Sequence, residues 1–106
     1  MTATAEDVSI DALLGGRVTL LQPRRGYRVA VDPLLLAAAA AASAGATVLD
    51  AGAGTGAVAL CLAARVPGCR IVGLERDPAL ADLAMRSMAL TGRGASVENV
   101  AGDLAA

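Results

Sequence analysis

Three carboxylates fall where strands are predicted to end. Asp50 follows Thr47-Val48-Leu49, Glu75 follows Arg70-Ile71-Val72-Gly73-Leu74, and Asp103 stands just past Ala95–Val100. Directly after the first come three glycines at alternate positions, Gly52, Gly54 and Gly56, with Ala51, Ala53 and Thr55 among them. Glycine lets the backbone fold back tightly and approach a ligand closely, and a helix starting there offers unpaired N–H donors. Glu75 stands nineteen residues after Gly56. On an adjacent parallel strand, a carboxylate at that distance can accept hydrogen bonds from both hydroxyls of a ribose held over the turn. One acidic residue at a strand end is as readily a loop or cap residue. Three in register beside a glycine-rich turn point to an adenosine site.

The spacing Gly52-x-Gly54-x-x-Ala57 satisfies a permissive dinucleotide fingerprint, so an NAD-binding oxidoreductase fragment is one alternative. Asp50 opposes it, because an anion two residues before the first glycine repels a pyrophosphate at the helix N-terminus. A carboxylate there suits a cationic or zwitterionic ligand, such as one bearing a sulfonium and an α-amino group. The third glycine at 56, giving Gly-x-Gly-x-Gly, opposes it too. A second alternative is a non-catalytic adenosine-ligand or protein-interaction module. The strand Thr47–Asp50 would then offer an exposed apolar edge, which invites self-association or capture of a partner.

The elements that must position these residues read as an α/β chain. Residues 1–14 begin polar and end in Ile10-Asp11-Ala12-Leu13-Leu14, a tail with one or two helical turns. Gly15-Gly16 punctuates, and Arg17–Gln22 and Tyr27–Val31 flank the turn residues Pro23-Arg24-Arg25-Gly26, predicting a β-hairpin over 15–31. Asp32-Pro33 signals a helix start, with Leu34–Ala42 as its body and Gly45 as its stop. From residue 46 onward the pattern is β-α-β-α-β. Strand Thr47–Asp50 leads through the glycine turn to a helix over 56–65, and Pro67-Gly68 separates that from strand Arg70–Glu75. Asp77-Pro78 opens a helix to about Leu90 with Leu80, Leu83, Ala84 and Met88 on one face, and Gly92 closes it before the last strand. Short connections in this order give a Rossmann-like parallel sheet with flanking helices. The 106 residues form one domain, a hairpin followed by a βαβαβ half over 46–106.

Composition narrows the function classes. The chain is 56% apolar, mostly Ala, Val and Leu with one Tyr and neither Phe nor Trp, so a packed core of modest burial is feasible. Net charge is −1 and all nine cations are Arg, a balance that argues neither for nor against a polyanion. Two cysteines, Cys61 and Cys69, without any His make a metal site improbable. The first is read as a core residue and the second as a loop residue. The acidic N-terminus carries no apolar signal region, and the uncharged run Pro33–Leu49 is Ala-rich and broken by Ser43 and Gly45. A cytoplasmic protein without a membrane span is expected.

With these residues in view, the sequence resembles the class I S-adenosylmethionine-dependent methyltransferases. Val-Leu-Asp-Ala-Gly-Ala-Gly-Thr-Gly (48–56) is similar to their first motif, Val-Gly-Leu-Glu-Arg-Asp-Pro (72–78) to their second, and Val-Ala-Gly-Asp-Leu (100–104) to their third. The resemblance implies S-adenosylmethionine as cofactor. It places the methionine moiety on Asp50 and the backbone of Ala51, Gly52, Ala53, Gly54 and Gly56, and the ribose on Glu75. It further implies that Asp103 meets the adenine amino group, with Arg76 and Leu104 flanking the ring. Residues 15–36 resemble, more loosely, the lead-in of bacterial methyltransferases acting on adenine N6 of a valine tRNA. Arg17, Arg24, Arg25 and Arg28 with Tyr27 could contact RNA phosphates and stack on a base. A solvated hairpin tip is the plainer reading of the same group and is preferred. The Asn-Pro-Pro-aromatic motif that amino-methylating members carry after a fourth strand does not occur in these residues. No catalytic residue is therefore assigned, and donor binding without turnover is expected.

Overall fold

The computed structural model describes residues 7–25, 43–92 and 97–102. Two sheets are built around one buried helix. The first is an antiparallel hairpin of β1 (Val8–Leu13) and β2 (Val18–Pro23), with Val8 opposite Pro23 and Leu13 opposite Val18. A 3₁₀ turn, Leu14–Gly16, joins the two strands. The second sheet is parallel, in the order β3 (Thr47–Ala51), β4 (Arg70–Glu75), β5 (Val97–Ala101). Helix α1 (Ala57–Arg65) connects β3 to β4, and α2 (Pro78–Thr91) follows β4.

The βαβαβ expectation is met, and the punctuation explains why. Asp77 caps α2 by accepting from the backbone N–H groups of Ala79 (2.9 Å) and Leu80 (3.3 Å), with Pro78 in the first turn where its missing N–H is harmless. Gly92 ends α2 in the left-handed region at φ 79°, and its N–H returns to the Met88 carbonyl. Helix α1 buries Ala57 and every residue from Ala59 to Ala64. Its small side chains let it sit between the parallel sheet and the hairpin. Val18 and Leu20 from β2, Ile71 from β4 and Val97 from β5 join it in one core cluster.

One expectation is corrected. The tail read as helical turns over 10–14 is instead strand β1, so the hairpin uses residues upstream of β2. The sequence conceals this because Asp11 is a poor strand residue by itself. Its Oδ2 accepts from the Ser9 hydroxyl at 2.7 Å and from Gln22 Nε2 at 2.8 Å, and the second of these bonds forms only once the strands have paired. Strand 17–22 is found as β2. The return strand over 27–31 and the helix over 34–42 lie outside the described residues. Cys61 and Cys69 are both buried and unpaired, and Cys69 sits in the connection just before β4.

Two hydroxyls on α2 dock the hairpin. Ser87, wholly buried, accepts from the Leu21 N–H at 2.8 Å and donates to the Leu83 carbonyl at 2.7 Å. One turn later Thr91 accepts from the Thr19 N–H at 3.0 Å and donates to the Thr19 carbonyl at 3.1 Å. Side chains at i and i+4 thereby serve the backbone groups of alternate residues on β2. Among the described residues β3 has a strand neighbour on one side only, and Leu49 there is 56% exposed. No described helix is long and apolar enough to cross a membrane.

Candidate ligand-binding site

Parallel pairing puts the carboxyl ends of β3, β4 and β5 side by side, with Asp50 opposite Gly73 and Glu75 opposite Ala101. Open α/β sheets bind ligands at that edge. The chain leaves β3 through residues 52–56, where Gly52 (φ 72°), Gly54 (φ 58°) and Gly56 (φ 89°) all occupy the left-handed region. A side chain at any of the three would be strained, which explains the glycine spacing.

Most of the turn's N–H groups are satisfied within the protein. Gly52 and Ala53 both donate to the Leu74 carbonyl, at 2.8 and 2.9 Å, and Gly56 donates to the Ala53 carbonyl at 3.0 Å. Gly54 donates to Glu75 Oε1 at 2.8 Å. Gly52 therefore offers a ligand close approach rather than a donor, and a Cβ built there meets nothing within 4 Å. Helix α1 has Gly56 as its N-cap and no side-chain cap, so its first turn faces the site with an unneutralised positive dipole end.

Asp50 is half-buried, and its Oδ2 is shut from solvent with no hydrogen-bond partner. Burial, and then the nearby negative charge of Glu75, raise its pKa above the ordinary carboxylate value. An acceptor in this state is completed by a donor carrying positive charge. Thr55 is the residue the sequence reading missed. It is wholly buried, and its hydroxyl has no partner either. A threonine between two glycines gives no sequence signal that its hydroxyl will be orphaned.

Glu75 gathers more than a ribose site requires. Oε2 accepts from the Asp77 N–H at 2.9 Å, and its backbone carbonyl accepts from the Gly102 N–H at 3.0 Å. Ala51 is exposed at the end of β3, Ala53 is buried, and Arg76 is exposed immediately after Glu75. Asp103 and Leu104 lie outside the described residues. Close packing also matters beneath the turn. A Cβ on Gly73 would stand 2.7 Å from Asn99 Oδ1 and 3.1 Å from Ala53 Cβ.

The arginine group is not brought to one place. Arg17 donates from its guanidinium to the Ala64 carbonyl near the C-terminal end of α1, the end away from the glycine turn. Arg24 and Arg25 lie at the other end of β2, roughly 20 Å away for a six-residue strand. The hydroxyl contacts run β2 antiparallel to α2, so Arg24 and Arg25 are on the glycine-turn side of the molecule. Tyr27 and Arg28 lie outside the described residues.

Residues 28–105 match the family model for protein-L-isoaspartate(D-aspartate) O-methyltransferase. Solved structures agree. An S-adenosylmethionine-dependent methyltransferase from Thiobacillus denitrificans, in complex with S-adenosyl-L-homocysteine, is 30% identical with a TM-score of 0.60 over 68% of this chain and 29% of that one. A protein-L-isoaspartate O-methyltransferase is 29% identical with a TM-score of 0.53 over 57% of this chain and 19% of that one. A Pyrococcus horikoshii protein described as a transferase shares the fold over 93% of this chain and 37% of its own, with a TM-score of 0.77 at 17% identity. The chain thus spans less than two fifths of the length of these structures. No curated protein matches it. The chain belongs to the protein-L-isoaspartate(D-aspartate) O-methyltransferase family, within the class I S-adenosylmethionine-dependent methyltransferases.

Proposed function

We propose that this chain binds S-adenosylmethionine at the carboxyl edge of β3 and β4 and acts as the donor-holding part of a methyltransferase. The observation that supports this most is Asp50 Oδ2, a buried acceptor without a donor, two residues before the open face of Gly52. Asp50 fits this cofactor: an α-ammonium group supplies both the missing donor and the missing positive charge. The first turn of α1 receives the α-carboxylate. Each Glu75 oxygen accepts one backbone N–H and retains capacity for a ribose hydroxyl. Arg76, Asp103 and Leu104 are assigned to the adenine by the resemblance of 72–78 and 100–104 to the family's motifs.

Bound S-adenosylmethionine supplies an electrophilic methyl on sulfur for in-line displacement by a nucleophile. The protein's contribution is positioning, with Asp50 and Glu75 fixing the two ends of the donor. None of the described residues is assigned to the methyl acceptor, and the role proposed for them is to hold the donor. Calorimetric titration tests the proposal. S-adenosylhomocysteine binds and NAD does not, and Asp50→Ala weakens the first. Binding of NAD in preference, or an Asp50→Ala variant with unchanged affinity, overturns it.

For the acceptor we propose an adenine N6 amine of tRNA, on the support of the lead-in 15–36 and of Arg24 and Arg25 lying on the glycine-turn side. Filter binding at low salt tests this. Retention of tRNA that falls in Arg24→Ala/Arg25→Ala supports it. No retention, with binding of an isoaspartyl peptide instead, contradicts it.

A further inference from the structure

We propose that Glu75 is the positioning residue of the glycine turn, so that one carboxylate sets the methionine end of the site while serving its ribose end. This inference rests on the donor-binding reading above and deepens it. The end of β4 collects N–H groups from three separate segments. The Leu74 carbonyl takes Gly52 and Ala53, and the Glu75 carbonyl takes Gly102. The Glu75 carboxylate takes Gly54 on one oxygen and Asp77 on the other, at 2.8 and 2.9 Å. Strand β4 could hold Gly52, Ala53 and Gly102 with any residue at position 75, because backbone carbonyls hold them. Gly54 and Asp77 are held by the side chain alone.

Those two bonds tie the middle of the turn to the start of α2. Both are charge-assisted, the stronger class of hydrogen bond, and both leave acceptor capacity for incoming hydroxyls. Gly54 has φ 58° and lies between Gly52, with open space before it, and Gly56, the N-cap of α1. Releasing Gly54 loosens the turn on its α1 side, since Gly52 and Ala53 stay on the Leu74 carbonyl. The first α1 turn then loses the side-chain anchor that fixes its direction relative to Gly52. A ligand that touches only the turn should therefore feel the loss of a carboxylate it never contacts.

The test uses the full 106-residue chain with Glu75→Ala and Glu75→Gln. The probes are methionine, which lacks a ribose and carries no net charge, and 5′-methylthioadenosine, which lacks the amino-acid end. Amide exchange of Leu60 and Ile71 reports whether each variant keeps its core. Glu75→Ala weakens methionine as well as methylthioadenosine, by about tenfold each, and exposes the Gly54 amide to exchange. Glu75→Gln keeps one acceptor oxygen, recovers most of the methionine affinity, and releases one of the Gly54 and Asp77 amides. Unchanged methionine affinity in a folded Glu75→Ala, or protection of both amides in Glu75→Gln, overturns the proposal. Failure of the wild-type chain to bind either probe overturns the donor-binding reading instead, and amide exchange at Gly54 still decides whether Glu75 holds the turn.

Discussion

Asp50 and Glu75 are neighbours in charge but opposites in satisfaction. Both Glu75 oxygens accept backbone N–H groups, whereas Asp50 Oδ2 is buried with no partner and its pKa is raised by burial and by Glu75. A carboxyl whose pKa is higher in the folded than in the unfolded state holds its proton longer when folded. Stability of the ligand-free protein therefore falls as pH rises from the ordinary Asp value of about 3.8 through the raised one. Asp50→Asn removes that loss. It raises the thermal midpoint at pH 7, and the difference from wild type vanishes below pH 3.8. The same variant should lower S-adenosylhomocysteine affinity by about tenfold or more, since it removes the charged partner proposed for the ammonium. Thermal melts across pH and calorimetry check the two opposite signs.

Gly52 separates binding from folding. Its φ of 72° costs an alanine about 1–2 kcal/mol, and no atom lies within 4 Å of the added Cβ. Gly52→Ala should fold with that modest loss and still fail to bind S-adenosylhomocysteine, because the methyl occupies the ligand's approach. Denaturant titration beside calorimetry reads both quantities.

Gly73 works the other way. Its added Cβ would stand 2.7 Å from Asn99 Oδ1 and 3.1 Å from Ala53 Cβ. Asn99 can swing, having a contact with Met88 Sδ at 3.8 Å to give up, but Ala53 belongs to the turn and must move with it. Gly73→Ala should cost about 1–3 kcal/mol and weaken ligand binding in the same step. Denaturant midpoints and calorimetry check it.

Ser87 fastens the hairpin. Ser87→Ala leaves the Leu21 N–H without its buried partner and should cost about 1–3 kcal/mol, with faster amide exchange at Leu21 and little change at Ile71. Equal acceleration at both amides would show that the hairpin and the parallel sheet unfold as one unit.

The parts of this fold that the sequence discloses are those governed by local rules. Asp77-Pro78, Gly92 and Pro67-Gly68 place the ends of α2 and the start of β4 because caps and left-handed positions admit few residue types. The end of β4 at Glu75, and that of β3 one residue past Asp50, follow from the same punctuation. Strand β1 escapes a local reading because Asp11 is stabilised by Gln22, eleven residues away, and no local pattern reports that bond. The orphaned hydroxyl of Thr55 and the grip of Glu75 on Gly54 depend on which way a side chain turns after packing. Proximity in sequence groups Arg17 with the other arginines, yet it serves the Ala64 carbonyl at the far end of α1.

The central claim is that the glycine turn and the end of β4 hold the donor. Titrating the isotopically labelled 106-residue chain with S-adenosylhomocysteine, and following every backbone amide by NMR, tests it most directly. Saturable shifts concentrated at Gly52–Gly56 and Glu75–Asp77, with the hairpin amides of Val8–Leu13 unmoved, are the predicted result. No saturable shift, or shifts centred on the hairpin, would contradict the account.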